Sequence, residues 1–181
     1  MKKFKEFTSL LETPTMNNFL SKDIMNDLAT KARQAINDSP STEENIDHNS
    51  YHKMVNGDHA YFNKNDAGEI NALSFVTKDN VHKITHKNTG SAQQIHSFMI
   101  HHAEQHGSIQ SDMTNTEGSK HLWTSLVKSS PPNKKFHYEN LNTNEKVPVD
   151  ANNIDKHSDN IWGRHSKFND IRMVMTHHDQ K

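Results

Sequence analysis

Two parts of this chain have residue types and spacings that suggest chemistry. The first is the stretch KNTGSAQ, Lys87 to Gln93, which joins an extended run to a helix-like one. A glycine at position 90 permits close backbone approach, and successive N–H groups opening a helix form a positive concavity suited to phosphate. The stretch has neither the lysine-serine or lysine-threonine ending of a P-loop nor a three-glycine dinucleotide fingerprint, which argues against nucleotide hydrolysis. Taken alone, it also reads as an ordinary β-to-α turn. The second part is the set of 15 histidines. His102 and His106 are four residues apart, a spacing that zinc accepts on a helical face, but no glutamate lies between them as in a metalloprotease helix. His101-His102 and His177-His178 are adjacent pairs, whose side chains point apart on a helix or strand. A solvated, histidine-rich surface accounts for them, so no metal is expected; a histidine-dependent metal protein is the alternative. Asp112, Glu117 and His121 form a triad-like set, in which Glu117 is equally explained as a helix cap.

Composition narrows the classes. With 21 basic and 22 acidic residues the formal net charge is −1, which excludes nucleic-acid binding by charge alone. The absence of cysteine excludes disulfides, thiolate metal sites and a cysteine nucleophile. Only 31% of the residues are hydrophobic and the mean hydropathy is −0.98, so the core has to be economical. No apolar run approaches the roughly 20 residues of a membrane span, and no membrane partner is expected. The start, MKKFKEFTSLLE, lacks the long uncharged segment of a secretory signal, so a cytoplasm is the expected location.

The elements that must position these residues are read from periodicity. Phe4, Phe7, Leu10 and Leu11 have helical spacing, and Pro14 interrupts them. A helix is predicted over Lys22–Ile36, with Ile24, Leu28, Ala32 and Ile36 on one face and Ser21 as its N-cap. Residues 38–50 read as a loop. Ala60–Phe62 and Ile70–Val76 read as a hairpin about Asp66-Ala67-Gly68. A further strand covers NVHKITHK, and a helix from Ser91 to Gln105 follows, with Ile95, Phe98, Met99 and Ala103 on its apolar face and Gly107 as C-cap. SIQSD is a short strand. The next helix opens with Thr114 and Glu117 in capping-box spacing and continues through Leu122, Trp123, Leu126 and Val127. KFHYENL and KVPV pair as a late hairpin, and DIRMVMTH closes the chain. Residues 150–169 read as a long polar loop anchored by Ile161-Trp162. This order describes an α/β (α+β) domain.

The hairpin, the strand before KNTGSA, the helix after it, the strand SIQSD and the helix TNTEGSKHLW together resemble the GNAT family of N-acetyltransferases. The likeness covers roughly residues 58–128 and continues more weakly to 176. It implies a central, mixed, mostly antiparallel sheet flanked by helices. It also implies acetyl-CoA as cofactor, wedged where the strand ending near His86 and the SIQSD strand splay apart. The family signature falls on Lys87, Gly90 and Ala92, with lysine in place of the usual arginine or glutamine. Backbone amides over Lys87, Asn88, Thr89, Gly90, Ser91 and Ala92 would then hold the pyrophosphate. Asn115 and Trp123 stand where the family often has an asparagine and a tyrosine general acid. As base for an amine substrate of unspecified identity, the resemblance leaves His82, His86 and Glu69, the two histidines also reading as exposed strand positions. More narrowly, SDMTNTEGSKHLWTSL resembles acetyltransferase-like proteins of large tailed bacteriophages.

The leader adds a separate resemblance. MKKFKEFTSLLE is similar to the capsid-targeting leaders of internal head proteins in T-even-type phages. Those leaders are cut by the prohead protease after an aliphatic residue, any residue and glutamate; Leu10, Leu11 and Glu12 fit. This implies the prohead protease and the capsid as partners and the virion interior as a location. The chain accordingly divides into a leader, residues 1–20, and a single GNAT-like domain, residues 21–181. The alternative to an active acyltransferase is a non-catalytic internal virion protein, or an injected host-directed effector, of the same fold.

Overall fold

The computed structural model describes residues 22–87, 92–112, 117–162 and 170–178. Helix α1 (Lys22–Asp38) comes first. Five strands follow it: β1 (Glu44–Asp47), β2 (Ser50–Val55), β3 (Asp58–Lys64), β4 (Ile70–Val76) and β5 (Val81–Lys87). Next come α2 (Ala92–His106), β6 (Ser108–Ser111) and α3 (Glu117–Ser129). The chain closes with β7 (Lys134–Asn140), β8 (Glu145–Val149), α4 (Ile154–Trp162) and β9 (Ile171–His177).

All nine strands form one sheet, in the order β1-β2-β3-β4-β5-β6-β9-β7-β8. Its neighbouring strands run antiparallel except β5 and β6, which run parallel. The mixed, mostly antiparallel sheet flanked by helices expected from the sequence is therefore present. Turn chemistry fixes much of the register. Asn56 and Gly57 join β2 to β3 with φ of 54° and 92°, the doubly positive conformation that a two-residue type I′ turn requires. Gly107, at φ 81°, ends α2 as the left-handed cap.

Alternation along β3 distributes its side chains to two cores. Ala60 and Phe62 face α1, packing with Leu28, Ala32 and Ile36 and with Leu73 and Phe75 of β4. Tyr61 faces the other way, into a larger core with Ile95, Phe98, Met99 and Ala103 of α2 and Trp123, Leu126 and Val127 of α3. Ile154 and Ile161 of α4 and Met173 and Met175 of β9 complete that core. With helices on both faces, the central strands are buried on both, and every residue over Ala60–Asn63 and over Ala72–Phe75 is buried. Each buried large apolar side chain contributes roughly 1.5–3 kcal/mol, so a chain with few hydrophobic residues concentrates them here.

Two loop expectations are corrected. Residues 38–50 contain β1 and lead directly into β2, whose polar residues form edge ladders rather than a core. Residues 154–162 form a helix: Ile154 and Ile161, seven apart, fall on one face and are buried, with Asp155 in the first turn favoured by the helix dipole. The N-terminal helix, the Ser21 cap and Thr114 lie outside the described residues.

Candidate functional site

Helix α2 separates two places of chemical interest, one at each end. From Val81, beside the C-terminal end of α2, β5 leads up toward the helix's N-terminal end, at first alongside the parallel strand β6. The two strands register at Val81–Gln110 and His82–Ser111 and no further, although β5 continues to Lys87. The Gln110 N–H donates to Asn80 O (2.9 Å), the Ser111 hydroxyl accepts from Met173 N–H (3.0 Å), and Lys83 pairs with Asp112 (3.8 Å). Beyond that point no residue of β6 follows β5 among the described residues. Asn88, Thr89, Gly90, Ser91 and Asn115 lie outside the described residues, as do the side chains of Lys87, Ala92 and Glu117. So do Leu10, Leu11 and Glu12.

The base candidates fall into unlike surroundings. His82 is buried rather than exposed, at 7%, with Nε2 bonded to the Ser74 hydroxyl at 2.9 Å. Burial pushes its imidazole down to about 4, so it is neutral and weakly basic. His86 stands opposite Leu73 on β5, and its side chain is not among those described. Glu69 is exposed in the β3–β4 turn and accepts from Asn65 Nδ2 at 3.1 Å. It sits just before β4, whose Ala72 faces Lys87 at the far end of β5. Trp123 is fully buried and its indole N–H has no partner among the described residues.

At the C-terminal end of α2, histidines from three elements converge. Ile95, Phe98 and Met99, His102 and Ala103 repeat at helical intervals, so His102 belongs to the buried stripe and is 0% exposed. His106 lies one turn further on, exposed. His52 on β2 is directly opposite Tyr61 on β3, and His59 shares Tyr61's face two residues earlier. The imidazoles of His59, His102 and His106 place one nitrogen each within 4.8 Å of the others. Ring centroids are 4.4 Å apart for His59–His106 and for His102–His106, and 5.0 Å for His59–His102. The expected solvated histidine surface is thus corrected for His102: a histidine in the i+4 register from Phe98 is carried inward with the apolar stripe.

Hydrogen bonds fix how these rings are turned. The Glu44 carboxylate accepts from His52 Nδ1–H (3.2 Å). His52 Nε2 is then the acceptor for His59 Nδ1–H (3.1 Å), which leaves His59 Nε2 carrying the lone pair. His102 is held at both nitrogens, Nδ1 by the Tyr61 hydroxyl (2.8 Å) and Nε2 by Asn80 Oδ1 (2.9 Å). Burial, followed by the neighbouring imidazoles, pushes His59 down to about 4 and His102 to about 3. His106 moves in the same direction for the same reasons, burial first. In all three the shift favours the uncharged imidazole, the form that ligates a metal ion.

The chain matches no protein-family model, no curated protein and no solved structure.

Proposed function

We propose that this protein binds acetyl-CoA as an N-acetyltransferase-like protein with a GNAT-like fold, the cofactor entering where β5 and β6 part. One observation carries this reading: a single parallel pair within the otherwise antiparallel described sheet, registered at two positions, past which β5 continues to Lys87 paired with β4. Ligands of open sheets containing parallel strands bind beyond the carboxyl ends of those strands. Past His82, the side of β5 turned away from β4 can bond the amides of a pantetheine arm as a further strand would. The N-terminus of the 15-residue α2 then receives the pyrophosphate, bound by amides over Lys87, Asn88, Thr89, Gly90, Ser91 and Ala92, with Asn115 nearby.

In such a site the substrate amine attacks the thioester carbonyl, the C–S bond breaks and the thiolate leaves. Catalysis comes mainly from positioning and from hydrogen bonds to the developing oxyanion. Of the base candidates, buried His82 is the least suited. Exposed Glu69, at the cofactor end of the sheet, is the group we assign to the amine proton, with His86 on the same end of β5. The Trp123 N–H can hydrogen-bond to sulfur or oxygen but does not supply a proton.

That last point favours a second reading, an internal virion protein that keeps the fold without the reaction, its leader cut by the prohead protease after Glu12 and its body held in the capsid. Calorimetric titration of the full chain with acetyl-CoA separates the two. The cofactor reading expects saturable binding, weakened at least ~10-fold (about 1.4 kcal/mol) by Gly90→Val, which bars close backbone approach. Absence of both heat and any shift in thermal midpoint at millimolar acetyl-CoA refutes it.

A further inference from the structure

We propose that His59, His102 and His106 form a site for one divalent transition-metal ion of the zinc class, backed by a Glu44–His52 relay. The site is independent of the acetyl-CoA reading: His102 lies ten residues beyond Ala92 on α2, roughly 15 Å along the helix axis.

Three features point to a metal rather than to a mere stack of rings. The first is distance. If the three nitrogens formed a triangle with every edge at the 4.8 Å limit, an ion at its centre would sit about 2.8 Å from each. Each ring then needs to close by ~0.7 Å at most to reach a Zn–N bond of about 2.0–2.1 Å, a movement within side-chain rotation. The second is the outer shell. Metal-bound histidines characteristically donate their second ring N–H to a carboxylate, a carbonyl or another acceptor. Here Glu44 orients His52 and His52 orients His59, from β1 through β2 to β3, so that His59 Nε2 keeps its lone pair for the ion. The third is the partner arrangement of His102. A hydroxyl both donates and accepts, so when an ion takes the place of the proton on Nε2, the Tyr61 oxygen accepts the proton relocated to Nδ1. Imidazole remains neutral throughout, and Asn80 Oδ1, the hydrogen-bond partner of Nε2 at 2.9 Å, swings aside to admit the ion.

The donor set is three imidazole nitrogens, and the chain has no cysteine. That favours zinc, nickel or copper(II) over thiophilic ions and over the oxygen-seeking magnesium and calcium. Exposed His106 forms the open wall, through which the ion and water would enter.

The test uses the full chain after chelator treatment, titrated with zinc sulfate at pH 7.5 and, in parallel, with cobalt(II). One equivalent of zinc should bind, and cobalt should give the intense visible absorption of tetrahedral coordination. His106→Gln, whose parent side chain is exposed, should fold normally and lose at least ~10-fold in affinity, as should His59→Gln. His52→Gln, which breaks only the relay, should lose ~10-fold, and His121→Gln, on α3, should change nothing. The proposal is overturned if the wild-type chain takes up no stoichiometric zinc. It is equally overturned if the His59→Gln/His106→Gln double variant, with unchanged circular dichroism, binds as the wild type does.

Discussion

At the residue scale, the histidines differ by where the backbone carries them rather than by type. His82 is the clearest case, because its ring is enclosed and bonded to Ser74. Its folded-state value, about 4, lies below the roughly 6.5 of an unfolded chain. The unfolded state therefore binds more protons between those values. The stability associated with neutral His82 is complete above pH 6.5 and is lost as pH falls toward 4, by about 3 kcal/mol in all. Thermal unfolding from pH 8 to pH 4 should show that decline, and His82→Gln should have a shallower slope over the same window. Equal slopes would mean that His82 is not enclosed. At this scale the sequence was partly legible. The spacing of His102 and His106 was visible, but counting only Ile95, Phe98, Met99 and Ala103 as the buried face hid the fact that His102 continues it. His52 and His59 had no local signal linking them to α2, since Tyr61 and His102 meet across 41 residues of chain.

At the element scale, strongly periodic segments were readable and weakly patterned ones were not. Helix α1, the β3–β4 hairpin, α2, α3, the β7–β8 hairpin and β9 were read from apolar residues bounded by turn signals, while β5, with only Val81 and Ile84 apolar, was read from its place before the helix. Strand β1 was missed because an edge strand needs little hydrophobicity, and β2 because Val55 alone of its apolar residues is buried; the Asn56-Gly57 pair was the signal that could have placed β2 against β3, and with it His52 near His59. Helix α4 was missed because two isoleucines seven apart are a sparse stripe in a polar segment. That sparseness makes a sharp prediction. Ile161→Ala, at a fully buried site, should cost about 2–5 kcal/mol in urea unfolding. Asp155→Ala, which removes the exposed pair with Lys128, should cost less than about 1 kcal/mol. If the two substitutions had similar small effects, α4 would not be packed on the core.

At the scale of the whole molecule, one sheet with helices on both faces carries the two proposed sites, the acetyl-CoA site toward the N-terminal end of α2 and the histidine cluster at its C-terminal end. The end near β5 takes its meaning from topology. The β5–β6 pair, joined through α2, is the parallel pair of the described sheet, and ligands of parallel strands bind beyond their carboxyl ends. That topology came from the order of segments, and so was legible; the turn meant to hold the pyrophosphate was legible as a sequence but lies outside the described residues. The central claim is that acetyl-CoA occupies the gap past His82. Hydrogen–deuterium exchange with and without acetyl-CoA tests it most directly. The account predicts slowed exchange confined to peptides spanning Lys83 to Gln94 and those containing Asn115, with the histidine end of α2 unaffected. Unchanged exchange across that span at saturating acetyl-CoA, or protection appearing elsewhere, would contradict it.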